Sequence, residues 1–367
     1  MAEAPISFAR GAPSPELIPA EELADCAHAV ALKDGAPLFA YGPGGGYAPL
    51  REWLARRHGV HAGRVVLTVG GLLGFVLYAG AKLAGRPGRV LVEGPTYDRP
   101  LKILAREGAE VVVLPMDDEG LDPDGLEAEL REGSGKPSFL YTIPSFQNPS
   151  GRTLSEERRR RVVEIAREHE LDVLEDDPYG LVRYEGEPAP TLYELEGGER
   201  VTYTSSFSKT VAPGLRTGYF VLRETDAAEF EERAVSTYIS PPFLVQATIF
   251  EFLERGRFDA NLERVRAGLR ARRDAMLGAL ERAAPEGVSW NRPEGGYFLW
   301  LGLGDRDCAE VAQDASARGV NLIQGDDFFP RGSGLGRDAA RLAFSYESIE
   351  RIAEGVARLA EALTPSS

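Results

Sequence analysis

The chain has few of the residues that build metal centres and disulfide frameworks. Its 367 residues include two cysteines and four histidines. Cys26 and Cys308 lie far apart and match neither a zinc spacing nor a redox spacing. The histidines form no pair at the spacing of helical metal ligands. The sequence therefore predicts two buried thiols of small apolar character and no metal site.

Two further shortages exclude classes of partner. No apolar run reaches the roughly 20 residues that a membrane-spanning helix needs, and the first eleven residues lack the basic-then-apolar order of a secretion signal. The formal net charge is −15, whereas a protein that wraps nucleic acid needs clustered basic side chains. We therefore expect a cytoplasmic protein without membrane or nucleic-acid partners. The densest basic run, residues 158–161, has acidic neighbours and is interpreted as a solvated helix face.

From about residue 64 onward the chain alternates short β-branched runs with longer helical ones. This alternation is typical of a mostly parallel sheet with helices on both faces. The seven predicted strands are residues 64–70, 89–95, 110–115, 139–144, 172–178, 201–207 and 216–222. Only residues 208–215 separate the last two, too few for a crossover helix, so we expect one of them to run antiparallel.

The pattern changes after Phe230, where helices dominate as far as Arg282. Three short predicted strands follow, at residues 296–301, 320–323 and 340–344. This order predicts a second, smaller α+β domain, and the first 40 residues are too few to fold alone. The predicted division is a large domain at residues 41–255 and a small discontinuous domain made of residues 1–40 and 256–367.

Several predicted strands end in polar or glycine residues. In an open parallel sheet, ligands bind at the carboxyl ends of the strands. The first predicted strand ends at Gly70 and Gly71, and a helical run opens at Leu72, which brings free N–H groups to a positive helix end. That arrangement predicts an anion site, although tight turns also use glycine for geometry alone.

The next polar groups are acids and a lysine. Residues 175–177, Glu-Asp-Asp, would repel one another without a nearby cation, and the absence of a neighbouring histidine favours a protonated ring nitrogen over a metal. The following strand delivers Ser206, Ser208 and Lys209. A lysine buried at a strand end loses hydration, so its pKa falls and its amine can form a Schiff base. The two hydroxyls and the guanidinium of Arg216 would form a phosphate cradle.

Together these motifs resemble the fold-type I pyridoxal-phosphate-dependent aminotransferases of class I/II, in particular the 2-aminoadipate and kynurenine aminotransferases. The resemblance spans nearly the whole chain, from residues 7–13 to 341–342. Its strongest motifs are S-F-S-K at 206–209 with P-G-L-R at 213–216, Q-N-P-S-G at 147–151 and D-D-P-Y at 176–179. It implies an α/β fold in three layers, with a mostly parallel seven-stranded sheet and a smaller α+β domain. It also implies amino transfer between an L-amino acid and a 2-oxo acid such as 2-oxoglutarate.

The resemblance gives each matching residue a role. Lys209 would carry pyridoxal 5'-phosphate (PLP) as a Schiff base and then act as the base that moves a proton. Asp176 would keep the ring nitrogen protonated, and Tyr179 and Asn148 would donate hydrogen bonds to the ring's phenolic oxygen. Tyr97 would stack on the ring.

Phosphate and substrate binding are implied for a second set of residues. The implied phosphate ligands are Gly70, Gly71, Leu72, Ser206, Ser208 and Arg216. Arg341 would receive the substrate α-carboxylate as a bidentate pair, beside Asn148 and Gly11. Tyr41 would reach the phosphate of a neighbouring subunit, which implies a homodimer.

One departure from the family pattern leaves alternatives open. Relatives usually carry a Gly-Ser-Gln or similar turn where this chain has Gly-Gly-Leu-Leu at residues 70–73, so the phosphate grip there would come from the backbone only. A PLP-dependent lyase, oxidase or synthase is therefore an alternative. A non-catalytic PLP-binding sensor of the kind fused to DNA-binding domains is a further one, which the acidic charge opposes. The resemblance does not predict the side chain of the substrate.

Overall fold

The structure is a computed structural model that describes residues 4–83 and 88–364. The strands of the described residues are, in chain order, β1 (Ile6–Ser7), β2 (Val65–Thr68), β3 (Arg89–Glu93), β4 (Glu110–Leu114), β5 (Met116–Asp117), β6 (Gly120–Leu121), β7 (Phe139–Thr142), β8 (Val173–Asp176), β9 (Val201–Ser206), β10 (Gly218–Val221), β11 (Ser289–Trp290), β12 (Phe298–Gly302), β13 (Val320–Asn321), β14 (Ile323–Gln324) and β15 (Ala339–Ala343). The helices are α1 (Ala20–Asp34), α2 (Ala48–His58), α3 (Gly71–Leu83), α4 (Asp98–Arg106), α5 (Pro123–Glu132), α6 (Glu156–Glu168), α7 (Leu192–Glu196), α8 (Glu224–Tyr238), α9 (Phe243–Glu254), α10 (Arg257–Ala283), α11 (Cys308–Ala317) and α12 (Ile349–Leu363).

A seven-stranded sheet forms the centre of the molecule, in the order β2-β10-β9-β8-β7-β3-β4. Strand β10 is antiparallel to both of its neighbours, and the other pairs are parallel. All seven predicted strands are present, each within its predicted bounds, and the expected antiparallel strand is the last of them. The α/β fold class is confirmed.

Helices cover the sheet on both faces. Phe220 of β10 pairs with Thr204 of β9, so the neighbouring Tyr203 points to the opposite face. The ring of Tyr78 in α3 stacks near Phe220, whereas the ring of Tyr193 in α7 contacts Tyr203. The strands are therefore enclosed between two helical layers, which explains why their residues are almost continuously apolar.

Helix α3 approaches the sheet very closely because it carries a glycine at the contact. A Cβ atom on Gly74 would lie 2.1 Å from the ring of Phe220, closer than two carbon atoms can come. Helix α6 shows the usual way of starting a covering helix, since the hydroxyl of Ser155 accepts a hydrogen bond from the N–H of Arg158. These local features place α3 and α6 against the sheet that carries the site.

The C-terminal part contains a second sheet with the order β11-β12-β15-β14, antiparallel throughout. The predicted strand at 320–323 is wrong as a single element: it is interrupted at Leu322, and β13 pairs in parallel with β1 while β14 joins β15. Strand β11 was not predicted. Because β1 contacts β13 but α1 packs along α9, the N-terminal residues touch both parts of the chain, and the domain boundaries stay a prediction.

Two further predictions concern the two cysteines and membrane-spanning helices. Cys26 and Cys308 are buried and unpaired with each other, as predicted. Among the residues that the structure describes, no helix is both long and apolar enough to cross a membrane.

Candidate active site

A cavity of about 350 Å³ opens where β8 and β9 end. Twelve residues predicted for the site line it: Gly11, Gly71, Leu72, Tyr97, Asn148, Asp176, Tyr179, Ser206, Ser208, Lys209, Arg216 and Arg341. Gly70 lies directly behind the wall, where it contacts Arg216. Tyr41 does not line the cavity and is 82% exposed. The cavity thus brings residues that follow strands of the parallel sheet together with Gly11 and with Arg341 of the second sheet, which lie more than 300 positions apart in the chain.

The three acids that end β8 lie in two different environments. Successive strand residues point to opposite faces, so Asp176 faces the cavity while Glu175 and Asp177 point away from it. Backbone N–H groups at the start of α7 donate to Glu175 at 2.9 and 2.8 Å. The N–H of Gly180 and the hydroxyl of Tyr203 donate to Asp177. The two acids outside the cavity are therefore satisfied by the protein itself.

The cation that this acidic strand end requires is Arg159 of α6. Its side chain is 1% exposed and its Nη1 atom lies 3.9 Å from Oε1 of Glu175. Its remaining donors bond to backbone carbonyls and to the hydroxyl of Ser145. The interpretation of residues 158–161 as a solvated face is wrong at this position, because Arg159 lies on the same helical face as the buried Val162 and Val163.

Asp176 is a carboxylate, partly exposed only to the cavity, that forms no ion pair of this kind within the described residues. Tyr141 of β7 donates a hydrogen bond to its Oδ2 atom over 2.8 Å. Burial raises the pKa of Asp176 to about 7, with smaller contributions in the same direction from Asp177 and Glu93, while Tyr141 and Lys209 oppose the shift. A cation placed in the cavity beside Asp176 would relieve this cost of burial.

Lys209 lies on the turn that follows β9. Its Nζ atom donates to the carbonyl oxygen of Gly11 at 2.7 Å. Burial, with smaller contributions from Arg341 and Arg216 and against the opposing effect of Asp176, lowers the pKa of Lys209 to about 8. A substantial fraction of its amine is therefore neutral near physiological pH, which is the form that attacks an aldehyde.

The carboxyl ends of β2 and β9 bring together groups that could hold an anion. Gly70 has a φ of +79°, and α3 begins at Gly71, so the first N–H groups of this helix have no intrahelical partner. A Cβ on Gly70 would lie 2.4 Å from an Nη atom of Arg216, so glycine is required for the guanidinium to sit there. Backbone N–H groups, two hydroxyls and a guanidinium fit a phosphate group.

Arg341 of β15 forms the opposite wall. It is 7% exposed, and its guanidinium donates to the carbonyl of Ala9 at 2.6 Å and to Oδ1 of Asn148 at 2.9 Å. The rings of Phe298 and Phe328 cover it at 4.4 and 5.1 Å. Its buried Nε has no hydrogen-bond partner within the described residues. Burial lowers the pKa of Arg341 to about 10, so a bound carboxylate would satisfy both its charge and its free donor.

Two tyrosines complete the walls. Tyr97 precedes α4 and is mostly buried, and Tyr179 follows β8 and is 4% exposed, with its ring centre 5.6 Å from Nζ of Lys209. Burial raises the pKa of both phenols, so both stay hydrogen-bond donors. The cavity thus offers an aromatic wall and a phenolic donor to a flat ring.

Sequence reasoning missed Tyr141, which orients Asp176. A tyrosine inside an apolar strand has the pattern of a core residue. The parallel register pairs Tyr141 with Leu174, which points to the same face as Asp176 one strand repeat away. The strand order of β7 and β8 was the signal that could have found it.

Sequence reasoning also missed Glu93, at the end of β3. Its buried carboxylate accepts hydrogen bonds from the hydroxyl of Thr142 at 2.6 Å, the N–H of Ile143 at 3.1 Å and the amide of Gln147 at 2.9 Å. It thereby fixes the start of the turn that carries Asn148. The available signal was an acid that closes an otherwise apolar strand.

Comparison with known proteins agrees with this geometry. Residues 6–355 match the model of the family described as aminotransferase class I and II. Aromatic-amino-acid aminotransferase 1 of Thermococcus litoralis is 35% identical over 367 residues, an alignment that covers 98% of this chain and 88% of the relative. The solved structure of an alpha-aminoadipate aminotransferase from Thermus thermophilus, complexed with N-(5'-phosphopyridoxyl)-L-leucine, has a TM-score of 0.93 at 35% identity and covers 98% of this chain and 92% of that one.

A third similar protein is the kynurenine aminotransferase of Pyrococcus horikoshii, solved in complex with PMP. Its TM-score is 0.93 at 34% identity, over 99% of this chain and 91% of that one. The chain belongs to the class I and II aminotransferase family. It is a PLP-dependent aminotransferase of fold type I, as the sequence predicted.

Proposed function

We propose that Lys209 holds PLP in this aminotransferase and that the enzyme moves an amino group between an L-amino acid and a 2-oxo acid such as 2-oxoglutarate. One observation carries the proposal: a single cavity contains Lys209 with a lowered pKa, Asp176 with a raised pKa and Arg341 with a free buried donor. When bound, the cofactor supplies an electron sink for the substrate carbon that loses a proton. The chain's own residues supply the remaining requirements.

Lys209 is the proposed acid–base group. A pKa of about 8 lets the amine accept a proton and return it near the working pH. The hydroxyl of Tyr297 donates to the backbone carbonyl of Lys209 at 3.0 Å, and the carbonyl of Gly11 holds Nζ inside the cavity. These contacts fix the amine without blocking its lone pair from a second partner.

Asp176, Asn148 and Tyr179 are the proposed ligands of the cofactor ring. Burial makes an isolated carboxylate costly at Asp176, so a positively charged ring nitrogen is its favoured partner. The Oδ1 atom of Asn148 accepts a hydrogen bond from Arg341. The Nδ2 atom of Asn148 is therefore left to donate to the phenolic oxygen, together with the hydroxyl of Tyr179. Tyr97 would cover one face of the ring.

Arg341 is the proposed receptor of the substrate α-carboxylate. Its bonds to Ala9 and Asn148 orient the guanidinium plane, and its Nε donor is free. The rings of Phe298 and Phe328 exclude water from the pair, which strengthens a charge-assisted hydrogen bond.

We also propose a homodimer in which Tyr41 reaches the phosphate of the partner subunit. Several of the exposed large apolar side chains belong to neighbouring parts of the chain: Leu32, Phe39, Tyr41, Val235 and Ile239. The segment after Tyr41 lies on α8 and α9, since Gly44 contacts Val235 and Gly42 contacts Phe243. An apolar surface of this kind is typical of an interface between subunits. A cytoplasmic location and the absence of nucleic-acid and membrane partners stay predictions.

A panel of L-amino acids with 2-oxoglutarate tests the proposed reaction. We expect glutamate to accumulate, and borohydride reduction to leave the cofactor on the peptide that contains Lys209. Ammonia, peroxide or a rearranged product without glutamate would favour a lyase, oxidase or synthase. Specific DNA retardation without turnover would favour a sensor.

A further inference from the structure

A groove adjoins the active site between α4 and residues 326–337. Its volume is about 1060 Å³. Leu72, Asp98 and Arg99 line both the groove and the active-site cavity, so the two spaces adjoin at these three residues. The active-site cavity is about 350 Å³, and most of the residues that line it are proposed to bind the cofactor. The groove therefore supplies the volume for a substrate side chain.

Arg99 stands at the junction of the two spaces with its charge largely uncompensated. The side chain of Arg99 is 57% exposed. Within the described part of the chain, its ion pair is with Asp98, at 3.6 Å between Nε and Oδ2. Asp98 makes a closer pair with Lys102, at 2.6 Å. Because a guanidinium carries five donors and stays protonated, Arg99 can bind another anion without giving up a strong contact.

The junction also lies near the proposed receptor of the α-carboxylate. Burial lowers the pKa of Arg341, and Asp98 and Asp327, which both line the groove, act on it in the opposite direction. Arg341 is therefore close to the start of α4, and Arg99 and Arg341 both line the active-site cavity. The groove as a whole carries five basic residues, Arg99, Lys102, Arg106, Arg331 and Arg337, against three acidic ones, Asp98, Asp326 and Asp327.

We infer that Arg99 is a specificity-determining residue that binds the distal carboxylate of a dicarboxylic amino acid or 2-oxo acid whose α-carboxylate pairs with Arg341. This inference rests on the proposed function and adds the substrate class to it. Leu72, on the wall that both spaces share, contacts the methylene groups between the two carboxylates. A substrate with an uncharged side chain enters the same space but gains no ion pair from Arg99.

Kinetics of two 2-oxo acids test the inference. The holoenzyme, its Arg99→Gln variant and its Arg99→Lys variant receive 2-oxoglutarate or 2-oxohexanoate with one fixed amino donor. We expect Arg99→Gln to lower kcat/KM for 2-oxoglutarate by about tenfold or more, mainly through KM, because a charge-assisted pair is lost. The value for 2-oxohexanoate stays within about twofold, and Arg99→Lys gives an intermediate loss for 2-oxoglutarate.

Arg160→Gln is the matched control, because Arg160 is 58% exposed against 57% for Arg99, pairs with Glu156 and lines neither the groove nor the active-site cavity. We expect it to leave both oxo acids unaffected. An equal loss with both oxo acids in Arg99→Gln, or an unchanged preference, overturns the inference.

A binding measurement separates this inference from the proposed function. Calorimetry of the holoenzyme with glutarate and with valerate compares a dicarboxylate with a monocarboxylate of equal length, without turnover. We expect Arg99→Gln to weaken glutarate about tenfold and to leave valerate unchanged. Equal effects on both ligands contradict the role of Arg99, whereas a failure of all amino donors to react contradicts only the proposed function.

Discussion

The hydroxyl of Tyr141 donates a hydrogen bond of 2.8 Å to the carboxylate of Asp176. Tyr141 is fully buried on β7, and its ring meets that of Phe75 edge-on at 5.1 Å. Packing therefore fixes the tyrosine, and the carboxylate of Asp176 that accepts its hydrogen bond is held in place. Tyr141 on β7 thus positions Asp176 on β8, the residue proposed to bind the ring nitrogen.

Replacing Tyr141 by Phe removes this bond and keeps the ring. Because the bond lowers the pKa of Asp176, its loss raises that pKa further, so the carboxylate is ionised only at higher pH. We expect kcat to fall about tenfold at neutral pH and its acid limb to move to higher pH. The pH profile of kcat measures both effects. A uniform loss at every pH would instead mean that Tyr141 only packs.

Lys209 is expected to destabilise the cofactor-free protein. Its pKa falls from 10.5 to about 8 on burial, which corresponds to about 3 kcal/mol of unfavourable free energy while the amine is charged. The Lys209→Met variant without cofactor should therefore be more stable at pH 7, by up to about 3 kcal/mol. The gain should shrink between about pH 8 and 10.5, where the native amine loses its proton before the unfolded one does.

Chemical unfolding of the cofactor-free proteins at pH 7 and pH 10 measures this difference. Lost turnover accompanies the gain, because the same amine is the proposed acid–base group. A variant that is less stable than the parent at pH 7 would show that the bond from Nζ to Gly11 outweighs the burial of the charge.

Residues that share one strand end could be placed from the sequence. Ser206, Ser208 and Lys209 follow a single predicted strand, and the structure puts all three on one cavity wall. The strands were also predictable, because fully covered parallel strands are runs of apolar residues with sharp polar ends. Local patterns thus carried most of the fold and the main residues of the candidate site.

Contacts that depend on register or on helix rotation were not predictable in this way. Tyr141 reaches Asp176 only through the pairing of β7 with β8, and Arg159 reaches Glu175 only through the orientation of α6. A run of four arginines has the pattern of a solvated surface, although one of them is buried. The interruption at Leu322 likewise depends on two different partner strands and not on local propensity.

Arg341→Gln tests the proposed α-carboxylate receptor. A hydrogen bond to a charged group contributes about 1.5–3 kcal/mol, so we expect KM for the amino donor to rise roughly ten- to hundredfold, with a smaller change in kcat. Arg131→Gln is the control, since that side chain is 65% exposed, pairs with Glu127 and lies outside both the groove and the active-site cavity. A KM that stays the same in Arg341→Gln would refute the assignment.

Arg159→Met tests the buried cation behind the site. The substitution keeps an unbranched apolar stem but leaves Glu175 without its ion-pair partner, and it removes the hydrogen bonds from Arg159 to Ser145 and to three backbone carbonyl groups. We expect the free energy of unfolding to fall by about 3–5 kcal/mol, the usual cost of breaking a buried ion pair. Arg160→Met on the same helix removes an ion pair with Glu156, in which the two side chains are 58% and 49% exposed. This control should lower the free energy of unfolding by at most about 0.5 kcal/mol.

The loss of stability in Arg159→Met should also depend on pH. Burial already raises the pKa of Glu175 to about 7, and without Arg159 that pKa should rise further, so the loss of stability should be smaller at pH 5 than at pH 8. Equal losses for the two variants, or a loss that does not depend on pH, would contradict the role of Arg159 as the cation of the acidic strand end.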